Sequence, residues 1–210
     1  MTTSSSNSLA SSNASSSASS DTSSDTSSGA SSSSATGFDN MPNSSLVFDQ
    51  ATIRHAVDQL AVRLNVELRG TNPVFLSVLH GGLPFTGDLL MRFQGDCDLG
   101  CVHVGRYGSE TQGGELTWHM QPSADLTDRL VVFVDDVLDK GETMAALRSR
   151  ALELGAAEVR AAVLVRKAVE HCVSEAEYIA LEAPDLFLFG YGMDIDGKWR
   201  NLPQIRAFLD

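Results

Sequence analysis

Asp135 and Asp136 stand side by side at the end of an apolar run, Leu130 to Val134. A short polar turn follows, with Asp139, Lys140, Gly141, Glu142 and Thr143. Beyond it Met144, Leu147, Ala151 and Leu154 recur at helical spacing. The chemistry open to these residues is that of an anion site at the end of a strand. Gly141 lets the backbone turn tightly and approach a ligand. Thr143 offers a hydroxyl where a helix begins, and unpaired amides there attract negative charge. So short a loop suits a monophosphate better than a di- or triphosphate, and it lacks the longer G-x-x-x-x-G-K-[ST] arrangement. Asp135 and Asp136 suit ribose hydroxyls, held directly or through Mg²⁺, an oxygen-seeking ion. The plain alternative is an acidic turn that only caps its helix.

Elements of the right kind surround this stretch. Ile53, Val57, Leu60, Ala61, Leu64 and Leu68 predict a helix over Asp49 to Leu68. Val74 to Leu79 is a continuous apolar run, suited to a strand buried on both faces. His80, Gly81 and Gly82 interrupt it, and Phe85, Leu89, Leu90 and Phe93 form the next helical stripe. Strand, glycine loop and helix thus occur here and again at Leu130 to Leu154. Leu99 to Val104 and Glu115 to Met120 read as a strand and its return, with a polar, Gly-rich excursion between them. Such an excursion is a candidate flap. Gly155 is placed to end the central helix. Val159 to Val165, Tyr178 to Leu181 and the run after Pro184 are further strand candidates. Strands alternating with helices predict an α/β domain with a mainly parallel sheet.

Residues 1–40 are nearly all Ser, Thr, Ala, Asn, Gly and Asp, a composition predicting a disordered tail. Residues 41–210 suit one domain. The net charge is −12, and no Lys/Arg cluster supplies the basic face of a general nucleic-acid binder. Acidity does not exclude an anionic substrate, because backbone amides, a metal ion and a few cations suffice locally. No basic and apolar leader opens the chain and no apolar run is long enough to span a bilayer, so no secretory signal or membrane segment is expected. Cys97, Cys101 and Cys172 show no zinc-like spacing and predict reduced thiols in the cytoplasm.

The stretch Val131 to Thr143, VVFVDDVLDKGET, resembles the phosphoribosyl pyrophosphate signature of type I phosphoribosyltransferases. That signature has four apolar residues, two acidic, two apolar, then D-x-G-x-T. Three further stretches narrow the resemblance to the hypoxanthine-guanine branch. SVLHGGLPFTGDLL is similar to its pyrophosphate loop and helix. AVLVRK ends at the position of its purine-reading lysine, and DLFLFGYGMDIDGKWRNLPQI is similar to its purine-stacking and metal-binding end. Together they cover residues from about 46 to 210. The fold implied is a mainly parallel sheet flanked by helices, with a small hood and a flexible lid.

The resemblance also implies roles for single residues. Asp139 is the acid/base near N7 of the purine, and Lys140, Gly141, Glu142 and Thr143 cradle the 5-phosphate. Asp135 and Asp136 contact ribose hydroxyls and the Mg²⁺ shell. Lys167 reads the 6-oxo group, Phe187 stacks on the base and Leu188 meets its edge with main-chain groups. Asp194, at the same purine end, binds a second Mg²⁺, and Arg200 contacts the pyrophosphate. His80 and Gly81 form the loop whose peptide contacts pyrophosphate, often through a cis bond. Arg106 and Tyr107 begin the lid. Two departures stand out: His80 replaces a frequent Lys or Arg, and Lys140 and Glu142 are unusual in the phosphate loop.

The activity implied is transfer of ribose 5-phosphate from phosphoribosyl pyrophosphate to hypoxanthine or guanine, with Mg²⁺, in a cytoplasmic homodimer or homotetramer. A xanthine-preferring relative is the nearest alternative. A phosphoribosyl-pyrophosphate-sensing regulator of nucleic acid is another, disfavoured by the charge and by Lys167, Phe187 and Asp194. If the tail is passive, deleting residues 1–40 leaves pyrophosphate release at the full-length rate. A large loss of rate would show that it is not.

Overall fold

The computed structural model describes residues 41–106 and 116–209. In chain order, β1 (Ser44–Phe48) leads into α1 (Gln50–Glu67), whose N-cap Asp49 accepts a 2.8 Å bond from the Thr52 amide. The apolar run forms β2 (Val74–Leu79), followed by α2 (Gly82–Leu90). Then come β3 (Asp98–Arg106) and β4 (Leu116–Met120). The second strand–loop–helix unit is β5 (Leu130–Leu138) and α3 (Glu142–Glu153). The chain closes with β6 (Glu158–Ala168), β7 (Tyr178–Pro184), β8 (Leu188–Phe189) and β9 (Ile205–Phe208).

Among the described residues these strands form two sheets. The larger has the order β4-β3-β2-β5-β6-β7 and is parallel except for β4. The smaller, β1-β9-β8, is antiparallel and corresponds to the expected hood. Successive side chains of β5 point to opposite faces. Val132 and Val134 share a core with Ile53, Val57 and Leu64 of α1 and with Phe85 of α2. Val131 and Phe133 pack instead with Met144, Leu147 and Ala151 of α3. Helices therefore cover both faces, as the double apolar character of β2 and β5 requires. Gly155, at φ 90°, ends α3 with its own amide bonded to Leu152 and that of Ala156 to Ala151, a Schellman arrangement.

Several boundaries differ from the sequence expectation. β5 does not stop at Val134 but continues to Leu138, so Asp135 and Asp136 lie within the strand rather than in the loop. The reason is pairing: β6 stays hydrogen-bonded to β5 as far as Leu138, whereas β2 leaves it at Val134. β6 likewise runs through Lys167, because β7 pairs with it that far. Phe93 lies beyond α2 and meets Phe75 edge-on, with ring centroids 5.1 Å apart. Tyr107 and the segment to residue 115, where the lid was expected, lie outside the described residues, as does the Ser-rich tail.

The loop between β2 and α2 sits directly on β5. A Cβ at Gly82 would lie 2.5 Å from the Val134 carbonyl oxygen and 3.1 Å from the Asp135 Cα. Backbone on both sides cannot yield as a side chain would. Overpacking of this kind costs about 1–3 kcal/mol, so Gly82→Ala lowers the urea midpoint accordingly. An unchanged midpoint would show that the two segments can separate without loss.

Candidate active site

The departure of β2 from β5 after Val134 opens a crevice at the carboxyl end of the sheet. The sheet order also reverses its direction of growth here, with β2 and β3 on one side and β6 and β7 on the other. Residues 135–144 line a cleft of about 400 Å³ at this point. Asp136 is buried and Asp135 half-buried. Burial, and after it the charge of Asp136, pushes the Asp135 carboxyl well above the usual carboxylate range. Burial raises Asp136 as well, against the opposing charge of Arg200.

The floor of the cleft is the start of α3. Gly141 occupies the N-cap position at φ 75°, and no side chain caps the helix there. The start of the helix borders the cleft and brings the positive end of the helix dipole to it. Gly141 also serves a packing need that the sequence did not reveal. A Cβ there would lie 2.5 Å from the Ser174 carbonyl and 2.9 Å from the Cys172 sulfur. The Val173 amide bonds to the Lys140 carbonyl at 2.9 Å. Thus the segment 172–174 braces the loop from behind. Lys140 and Glu142 are exposed and Thr143 is half-buried, and all three line the cleft.

A second cavity of about 230 Å³ adjoins the first. Lys167, Phe187, Leu188, Met193 and Asp194 line it, together with Asp136, Val137 and Asp139 from the first cleft. Phe187 leaves 59% of its surface exposed, whereas Leu188 is buried in the small sheet. So large an exposed ring at a cavity wall suits a planar ligand better than core packing. The Lys167 ammonium donates to Asp139 at 3.1 Å and pairs with Asp185 at 2.6 Å. Burial works against its charge, but those carboxylates outweigh it and raise its pKa.

Arg200 joins the site from the far side. It pairs with Asp194 at 2.6 Å and donates to the Gly192 carbonyl at 2.6 Å. Gly192 in turn lies against the Gly81 carbonyl, which a Cβ at Gly192 would meet at 2.0 Å. A Cβ at Gly81 would collide with the Asp136 carboxylate at 1.9 Å. Arg200, the His80–Gly81 loop and Asp136 are thereby stacked together, and the Leu79–His80 peptide is cis. The exposed His80 ring meets His103 at 4.6 Å between centroids, and His103 meets His119 at 4.7 Å. Burial and these two neighbours lower the His103 pKa.

The structure thus gathers Asp135, Asp136, Asp139, Lys140, Gly141, Glu142, Thr143, Lys167, Phe187, Leu188 and Asp194 around two adjoining cavities. His80, Gly81 and Arg200 line neither cavity; Gly81 packs on Asp136, and Arg200 pairs with Asp194 while lining a separate cleft beside Pro84 and Tyr191. Arg106 ends β3, and Tyr107 lies outside the described residues. Sequence reasoning missed Gly192 and Asp185. The first carried no signal beyond being one glycine among several. The second lies 18 positions from Lys167 and meets it only because Ala168 pairs with Pro184.

The phosphoribosyl transferase domain family matches residues 45–196. The hypoxanthine-guanine phosphoribosyltransferase of Streptococcus thermophilus is 30% identical over 162 residues, 76% of this chain and 90% of that protein. That of Streptococcus pneumoniae is 32% identical over 155 residues, 73% of this chain and 86% of that one. The solved structure of a Bacillus anthracis hypoxanthine-guanine phosphoribosyltransferase, with HEPES in its active site, superposes with a TM-score of 0.74 at 26% identity. It covers 79% of this chain and 98% of that one. By sequence and by fold, the chain belongs to the phosphoribosyl transferase family, in its hypoxanthine-guanine branch.

Proposed function

We propose that the protein transfers ribose 5-phosphate from phosphoribosyl pyrophosphate to N9 of hypoxanthine or guanine, giving IMP or GMP and pyrophosphate. The observation that carries this reading is the shared wall of the two cavities. Asp139 lines both, as Asp136 does, so carboxylates border a phosphate-suited cleft and a ring-suited pocket at once. Phosphoribosyl transfer needs a group at that junction.

In this reading the 5-phosphate rests on the amides of Lys140 to Thr143 at the uncapped start of α3. Asp135 and Asp136 face the ribose hydroxyls. Phe187 stacks on the base, Leu188 meets its edge and Lys167 donates to its 6-oxo oxygen. The bond from C1′ to the pyrophosphate oxygen breaks, its electrons leaving with the pyrophosphate, as N9 bonds to C1′. The proton released from the purine passes to the Asp139 carboxylate. Charge on the departing pyrophosphate is met by Arg200 and by the amides of the His80–Gly81 loop.

Mg²⁺ fits the donors present. Asp135, Asp136 and Asp194 offer oxygen ligands, and the buried pair, with its raised pKa values, is suited to a cation. Among the described residues no group of three or more such side chains encloses a metal. Mg²⁺ would therefore share its shell with substrate oxygens and water, which is its habit, and would supply positive charge to the pyrophosphate. We further assign the enzyme to the cytoplasm as a homodimer or homotetramer. The free thiols of Cys97, Cys101 and Cys172 accord with the compartment. Among the described residues no helix is long and apolar enough to cross a membrane.

Pyrophosphate release compared across hypoxanthine, guanine, xanthine and adenine tests the activity. Turnover is expected with the first two and lost on chelation of Mg²⁺; no turnover with any base would overturn it. Asp139→Asn should retain phosphoribosyl pyrophosphate affinity yet lose about 10²- to 10⁴-fold in kcat, the usual worth of a positioned acid/base group. Wild-type kcat in that variant would remove Asp139 from the proton transfer.

A further inference from the structure

Lys167 is held between carboxylates from two different segments. Its ammonium donates to Oδ2 of Asp139 at 3.1 Å and approaches Oδ1 of Asp185 at 2.6 Å. The lysine side chain is only 12% exposed, whereas Asp185 is 59% exposed. Asp185 follows β7 directly, and the pairing of Ala168 with Pro184 sets it beside Lys167. Two residues further on, Phe187 forms the wall of the same cavity. The transfer reaction itself gives Asp185 no part.

We propose that Asp185 is a positioning residue for base selection: it anchors Lys167 at the purine cavity so that the ammonium can exchange Asp139 for the 6-oxo oxygen of the base. The proposal rests on the assignment of that cavity to a 6-oxopurine. In the free protein the Lys167 ammonium donates to Asp139, so that carboxylate is already engaged. An entering 6-oxopurine offers an acceptor at the position where Lys167 can donate. The ammonium then turns from Asp139 to the base, and the Asp139 carboxylate is released to meet the purine proton. Without Asp185 the half-buried ammonium would lack a counter-charge during that exchange and would be held to Asp139 instead. A 6-aminopurine presents a donor there and leaves Lys167 engaged with Asp139. Base identity is thereby passed to the acid/base group through one anchored lysine.

Steady-state kinetics of the full-length chain separate this role from a general structural one. Asp185→Asn is expected to raise the KM for hypoxanthine about tenfold, the scale of one lost charge-assisted hydrogen bond. It should narrow the hypoxanthine-to-adenine ratio of kcat/KM by a similar factor and leave the KM for phosphoribosyl pyrophosphate unchanged. Asp185→Glu should restore both quantities. Calorimetry supplies a readout independent of turnover: Asp185→Asn should weaken IMP binding about tenfold and leave AMP binding unaltered. Unchanged hypoxanthine KM and base ratio would overturn the proposal, as would equal losses for both substrates or both nucleotides. Wild-type turnover with hypoxanthine, and loss of base preference in Lys167→Ala, test the underlying cavity assignment. If those hold while Asp185→Asn behaves as wild type, only the role of Asp185 fails.

Discussion

Strand β5 is hydrogen-bonded to β2 only through Val134 but to β6 as far as Leu138. Four residues of β5 therefore carry one paired edge and one bare edge, and everything at the site depends on that overhang. A bare edge next to a buried core is costly unless something satisfies it. Here the strand's own side chains contribute: Asp135 and Asp136 accept from the amides of Asp136 and Val137 at 3.0 and 2.9 Å. The His80–Gly81–Gly82 loop then lies across the gap, close enough that only glycine fits at two of its positions. Candidate site residues from the loop after β2, from β5 and β6 and from the C-terminal turns can meet because the gap exists.

The same geometry explains the electrostatics. Two adjacent carboxylates in a buried strand end resist ionisation, and their pKa values are raised accordingly. Two nearby cations are already engaged, Lys167 with Asp139 and Asp185, and Arg200 with Asp194. The start of α3 adds the positive end of its helix dipole, with Glu142 the acidic residue of its first turn. An anionic ligand thus finds fixed amide dipoles on one side and exchangeable ion pairs on the other.

Much of this was legible in the sequence because its determinants are local. The apolar runs of β2 and β5, the helical stripes of α1 and α3 and the glycine after α3 each announce themselves within one turn or one strand. What escaped depends on register between distant segments. β1 and β9 pair Ser44 with Phe208, and neither strand has an alternation strong enough to be recognised alone. Extension of β5 through the acidic pair follows from β6, not from the residues themselves. The Lys167–Asp185 pair follows from the β6–β7 register. Gly192 matters only because the C-terminal turns fold back onto Gly81. The resemblance to a known family located residues such as Phe187 and Asp194 that periodicity could not; the structure adds how they are held.

A protein with net charge −12 that takes a polyanionic substrate would at first sight repel it. The arrangement of ion pairs removes the conflict. Lys167 and Arg200 are 12% and 34% exposed and are each paired in the free protein. A phosphate or oxo group that displaces a partner carboxylate replaces one acceptor by another, so the cation incurs little further desolvation. The displaced carboxylates, Asp139 and Asp194, are not lost to the site, since both line the same cavity. In the function proposed above, one is then free to accept a proton and the other a cation. Net acidity is then the store of acceptors from which the site is assembled, and the few cations serve by changing partners.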